Sequence, residues 1–271
     1  MTATSNAQAS LKYLDMQALA GITKHTGGFA ATDELLSLCH IEDADDVLSV
    51  GCGIGVGPAY VARKHGCHVV GVDLSEKMIQ WSRQRAREER VEDKTEFRTA
   101  DVLDLPFEAD RFDVVFTESV LIFVEDKARA ISECVRVTKP GGYVGLNEAF
   151  WIKPPPADLA AKAKAAVGPC METLETWQAL WETVGLQERA IKLHRMDARA
   201  ETKGRIQWVG WRWLLRAWGR LLPLYATNRA VRESIKDVFD TPLRIFDYAA
   251  YALFVGRKLT GEHWEPASEA S

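Results

Sequence analysis

From Asp45 to about Glu148, short β-branched runs alternate with polar, helix-like stretches of about 10–15 residues, the pattern of a parallel sheet joined by helical crossovers. The runs are Val47–Val50, His68–Val72, Thr95–Thr99, Phe112–Phe116 and Tyr143–Leu146. Helices are expected at Pro58–His65, where proline suits a first turn, and at the amphipathic, charge-rich Ser75–Arg90. A third, Asp126–Thr138, stops at Lys139-Pro140-Gly141-Gly142. Upstream, Ala7–Ala20 and Thr32–His40 read as helices divided by Thr26-Gly27-Gly28. Downstream, Pro154-Pro155-Pro156 marks a loop, Glu172–Val184 a helix ended by Gly185, and Leu186–Met196 and Tyr248–Lys258 two late strands. About 50 residues lie between those strands, far more than a hairpin requires. The chain therefore divides into a helical segment 1–40, a sheet-forming core 41–196, a helical insertion 197–247, a returning strand 248–260 and a tail 261–271.

The insertion has its own chemistry. Lys203, Arg205, Arg212, Arg216, Arg220, Arg229 and Arg232 fall in one stretch without Asp or Glu, together with four of the nine tryptophans. At about 100° per residue, Trp208, Trp211, Leu215, Trp218 and Leu222 share one face, with Arg205, Arg212, Arg216 and Arg220 beside it, as in one basic amphipathic helix. Three readings follow: a cap helix whose tryptophans pack on the core, a cap forming an apolar acceptor pocket, and contact with an anionic membrane surface.

Composition narrows the class. A chain of 271 residues, 47% hydrophobic and 27% charged, suits one elaborated globular domain. The net charge of −4 gives no general reason for polyanion binding, and no nucleic acid is expected as partner. Five scattered cysteines without a C-x-x-C pair support neither a disulfide framework nor a zinc knuckle, so a reducing cytoplasm is expected and no metal. The first 20 residues lack a signal-peptide pattern, and no run reaches about 18 apolar residues.

The strongest motif is Val47-Leu48-Ser49-Val50-Gly51-Cys52-Gly53-Ile54-Gly55, an apolar strand entering alternate glycines and then a helix. Such a turn lets a ligand approach backbone, and its spacing lacks the third glycine of the dinucleotide pattern G-x-G-x-x-G. Asp73, ending the second strand, is placed to accept both hydroxyls of a ribose. After the third strand, Asp101-Val102 offers an acid beside an apolar side chain, suited to an adenine edge. Phe112-Asp113-Val114-Val115-Phe116 and Lys139–Gly142 follow.

In this order, over roughly Thr26 to Glu148, the motifs resemble the class I methyltransferases that use S-adenosylmethionine (SAM). Within them, Thr117-Glu118-Ser119 through Asp126-Lys127 to Gly142 is similar to the branch methylating quinones, sterols and tocopherols, methyltransferase type 11. The resemblance implies an α/β, Rossmann-like sheet of seven strands, the last antiparallel, with the helical insertion between the sixth and seventh. It implies SAM as cofactor, leaving as S-adenosylhomocysteine. Gly51, Gly53 and Gly55 would meet its methionine end, Asp73 the ribose, Leu74 and Met78 the adenine face, and Asp101 and Val102 the adenine edge. Gly28 would cover the cofactor. Ser49 stands where the family commonly has an acid, and Glu118–Val124 lacks the histidine that several relatives carry there.

Ligands collect at the carboxyl ends of such strands, so Glu118 and Glu148 are the acidic candidates for accepting a proton or holding a cationic acceptor, Glu118 also as a cofactor contact. Tyr13, His25, Trp208, Trp211 and Trp218 are candidate acceptor contacts. The expected activity is methyl transfer to a small apolar or amphiphilic acceptor such as a quinone, prenyl-phenol or lipid. A non-catalytic SAM-binding or membrane-interaction module, a nicotinamide oxidoreductase and an RNA methyltransferase are the competing classes.

Overall fold

The computed structural model describes residues 13–23, 25–41, 46–167, 171–240 and 242–260. Readings of residues 7–12, of Cys170 and of the tail 261–271 lie outside this set.

Helix α1 covers residues 13–20 and α2 Gly28–Leu38. The core then runs β1 (Asp46–Val50), α3 (Val56–His65), β2 (His68–Asp73), α4 (Glu76–Glu89), β3 (Thr95–Thr99), β4 (Phe112–Glu118), α5 (Lys127–Val137) and β5 (Thr138–Trp151). After it come α6 (Ala157–Val167), α7 (Leu174–Thr183), β6 (Leu186–Arg195), α8 (Ala198–Val209), α9 (Trp211–Thr227), α10 (Arg229–Asp240) and β7 (Ala249–Lys258). The seven-stranded sheet has the order β3-β2-β1-β4-β5-β7-β6. Strands β1 to β5 pair in parallel, and β7 is antiparallel to both β5 and β6, as expected.

Both faces of the sheet are covered, which is why its central strands read as nearly continuous apolar runs. On one face Leu48, Val115, Val144 and Leu146 pack with Ile131 of α5 and Trp177 and Trp181 of α7. On the other, Val47, Val69, Val114 and Phe116 pack with Leu35 of α2, Val61 of α3 and Ile79 of α4.

Three sequence expectations change. Strand β5 is longer than Tyr143–Leu146, because Lys139–Gly142, read as a stop, lies within it at a register shift opposite Phe112 and Val114. Helix α6 follows the proline loop, where no helix was expected. The basic segment forms three helices rather than one, because Gly210 (φ 87°, ψ 136°) separates α8 from α9 and extended Asn228 separates α9 from α10.

That break re-aims the aromatic side chains. Trp208 and Trp213 are buried with Met78 and Val209, whereas Trp211 and Trp218 stay exposed. The inner face of α9 clamps the end of α1. Trp213 Nε1 donates to Gly21 O, Arg220 Nε to Ala20 O at 2.9 Å, and Trp81 Nε1 of α4 to Ala18 O at 2.9 Å. Carbonyls that a helix end leaves unpaired are thus satisfied by side chains from two other elements. Arg85, also buried, joins core and cap by donating to Ile54 O (3.1 Å) and Val209 O (3.2 Å) beneath the Trp213 ring.

Candidate active site

The site grows from the turn between β1 and α3. Gly51 (φ 68°) and Gly53 (φ 56°) occupy the left-handed region, where a Cβ is strained. Space forbids one as well: a Cβ on Gly51 would lie 2.3 Å from Val120 Cγ2, and one on Gly53 2.9 Å from Thr23 Oγ1. Asp73 closes the turn from β2, Oδ2 accepting from Gly53 N–H and Oδ1 from Ser75 N–H, both at 2.9 Å. Burial pushes its carboxyl upward while those two N–H groups pull it down. Each oxygen keeps acceptor capacity for a further hydroxyl, and Leu74 stands 70% exposed beside it as an uncovered apolar surface.

Beyond the glycines lies a cavity bounded by Ser49, Cys52, Phe116 and Glu118 from the sheet side and by Thr23, His25 and Trp208 from the cover. Glu118 ends β4 inside it. Its two oxygens accept from Thr32 Oγ1 (3.0 and 3.2 Å), and His25 Nε2 is 3.5 Å away. Among the described residues no Lys or Arg pairs with this carboxylate, and burial raises its pKa. His25 Nε2 also lies 3.0 Å from Gly28 O, its ring stacks on Trp208 at 4.1 Å, and its buried Nδ1 has no hydrogen-bond partner among the described residues. A desolvated carboxylate, an imidazole and an indole around one small space are equipped to accept a proton or to hold a cation.

Glu148 does not face the cavity. It is fully enclosed under the turn Leu121–Phe123, accepting from the N–H groups of Val120, Leu121 and Ile122 at 3.0, 2.8 and 3.3 Å, so it holds the loop after β4. Tyr13 packs in the cluster with Leu221 and Val231 and accepts from Gln17, away from the cavity. Gly28 (φ 58°) starts α2 beside α8, where a Cβ would make only ordinary contact with Gly204 Cα at 3.4 Å. Met78 is buried under Trp208 and Trp213, whereas Asp101 is exposed, its Oδ1 accepting from Leu103 N–H, with Val102 buried beside it. Trp208 lines the cavity, but Trp211 and Trp218 lie outside it on the outer side of α9.

The sequence reading missed Thr32 and Thr23. Thr32 carried a signal, being the polar residue on the buried face that Gly28, Ala31, Leu35 and Leu36 form on α2. Among the described residues there is no group of three or more His, Cys, Asp or Glu arranged to hold a metal ion.

A family model described as a methyltransferase domain, of type 11, matches residues 48–146. The chain is 33% identical over 121 residues to methyltransferase GfsG of Streptomyces halstedii, covering 45% of this chain and 44% of that protein. It is 32% identical over 161 residues to 27-O-demethylrifamycin SV methyltransferase of Amycolatopsis mediterranei, covering 58% and 59%. These matches span less than two thirds of the relatives' lengths. Among solved structures, phosphoethanolamine N-methyltransferase 2 of Haemonchus contortus, bound to phosphomonomethylethanolamine and S-adenosylhomocysteine, superposes with a TM-score of 0.67 at 19% identity, covering 91% of this chain and 57% of that one. That likeness is one of fold.

Proposed function

We propose, from the premise that residues 48–146 are a class I SAM-dependent methyltransferase domain of the type 11 branch, that the protein transfers the methyl group of SAM to a small, largely apolar or amphiphilic acceptor. The observation that carries the proposal is the meeting of the glycine turn and Asp73 with a cavity lined by Glu118, His25 and Trp208. SAM would supply an activated methyl on a sulfonium, which leaves alignment as the protein's main task. Asp73 accepts from the ribose hydroxyls, Leu74 and Val102 give the adenine apolar contact, and the turn offers backbone N–H groups. Glu118 takes a proton from the acceptor or holds its positive charge, with Thr32 and His25 fixing the carboxylate. Trp208, Phe116 and Pro58 give the cavity apolar walls that favour an acceptor with apolar surface. The relative named for 27-O-demethylrifamycin SV supports a small-molecule acceptor.

Incubation with methyl-labelled SAM and a fractionated cell extract tests the reading. Label is expected in lipid or small-molecule fractions. Label confined to nucleic acid, or SAM binding with no release of S-adenosylhomocysteine in any fraction, refutes it. Glu118→Gln is expected to leave SAM affinity nearly intact and to lower turnover. Full turnover across a pH series would remove Glu118 from the chemistry.

A further inference from the structure

We infer that the outer face of α9 is a docking surface for an anionic lipid bilayer. Trp211, Leu215, Trp218, Leu222 and Tyr225 stand 48–65% exposed. Their spacing of four, three, four and three residues puts them on one stripe of the helix, about 21 Å long at 1.5 Å per residue. The stripe is fixed rather than loose, because the opposite side of α9 is buried through Trp213, Ala217 and Leu221 and tied to α1 by Trp213 and Arg220. Two indoles and a phenol beside leucines form an amphipathic surface of the kind that sits at the headgroup boundary.

Charge selects the occupant. No acid occurs between Lys203 and Arg232. Arg212 borders the stripe, its guanidinium 5.9 Å from the Trp211 ring. Arg232 closes its far end, donating to the carbonyls of Tyr225 and Ala226. The neighbouring cations differ: Arg216 is held by Glu88 and Arg229 by Glu233, while Arg220 turns inward. In a twofold pair of copies the same patch would face itself and set basic edge against basic edge, whereas lipid phosphates complement it. Among the described residues no helix is long and apolar enough to cross a membrane, so this contact is interfacial. The docking stands on the surface alone. That the bilayer delivers the acceptor rests on the methyltransferase reading, since Trp208 of α8, the helix that leads into α9, lines the cavity.

Sedimentation with phosphatidylcholine vesicles, with and without phosphatidylglycerol, tests the inference. The protein is expected to pellet with the anionic vesicles only, and less as salt rises. Trp211→Ser with Trp218→Ser, both exposed, is expected to lower the partition coefficient about tenfold or more, and Arg212→Glu several-fold. SAM affinity measured by calorimetry on the double variant is expected to equal the wild type, which separates this test from that of the cavity. Failure to pellet with anionic vesicles overturns the inference, as does pelleting that the double variant leaves unchanged. A dimer that Trp218→Arg makes monomeric also overturns it, by assigning the face to a second copy.

Discussion

Replacing Glu148 by Gln isolates the effect of one enclosed carboxyl. Burial lifts Glu148 from 4.5 to about 7, against the pull of three backbone N–H donors and of Lys127. A group whose pKa is higher in the folded protein binds its proton more tightly there. The stability it contributes is full below the unfolded value and is lost as pH rises through the folded one. The window is therefore about 4.5 to 7. Each pH unit inside it is worth about 1.4 kcal/mol, so the wild type loses about 3 kcal/mol through this group on going from acid to neutral pH.

Glutamine has the same shape, cannot titrate, and can keep the two bonds that Oε1 accepts from Val120 and Leu121. Urea unfolding of both proteins from about pH 4.5 to pH 8 reads the difference directly, and contributions from Glu118 and other carboxyls cancel between them. The expected result is a wild-type advantage that shrinks by about 3 kcal/mol as pH rises. A difference that stays flat across the range refutes the reasoning, because it would mean that Glu148 keeps one charge state throughout. Glu148→Ala serves as contrast. It removes the acceptor from the N–H groups of Val120, Leu121 and Ile122, of which the buried Leu121 one alone costs about 1–3 kcal/mol, and is destabilising at every pH. It also loosens Val120, whose methyls back onto Gly51, so SAM affinity is expected to fall with stability.

Asp73→Ala is expected to weaken SAM binding about tenfold or more by removing charge-assisted bonds to two hydroxyls, and calorimetry giving unchanged affinity would reject the ribose assignment. Arg85→Met keeps the stem but removes donors to Ile54 O, Val209 O and Glu89, for an expected loss of about 2–3 kcal/mol in denaturant unfolding. Cys39, Cys52, Cys67 and Cys134 are all buried, and burial pushes the Cys134 thiol up to about 12. At most one of the five thiols per chain should therefore react with a thiol reagent at about pH 8 before unfolding, and a count above one would contradict this burial.

How much was legible follows from what each residue depends on. Strands β1, β2 and β4 read almost to the residue because a strand covered on both faces is a continuous apolar run that needs no partner to be recognised. Strand β5 reads short from the sequence because Lys139–Gly142 has the composition of a stop. In the structure Lys139 reaches back to Asp113 at 2.8 Å, and Gly142 lies so close to Asp113 O that a Cβ there would approach within 2.6 Å. Only the neighbouring strand makes that stretch extended. The insertion failed differently. Counting about 100° per residue across Gly210 assigns Trp208 and Trp211 to one face, and one left-handed-side residue is enough to separate them.

The two carboxylates show where sequence reasoning reaches its limit. Glu118 and Glu148 both end a central strand, and both were candidates on that ground. Successive side chains along a strand point to opposite faces, so Glu118 shares the face of Val114 and Phe116, toward α2 and α3, while Glu148 shares that of Val144, Leu146 and Phe150. Since both faces are covered, apolar alternation does not mark which one carries the site. What decides is the register between β4 and β5, which sets Glu118 opposite Asn147 and leaves Glu148 one residue on, facing away. Asn147 Nδ2 then donates to Thr26 O at 3.0 Å, fastening the cover on Glu118's side, whereas Glu148 turns to the loop after β4. Chemically equal residues thus acquire a candidate role in the reaction and a role in the scaffold from a single step of register.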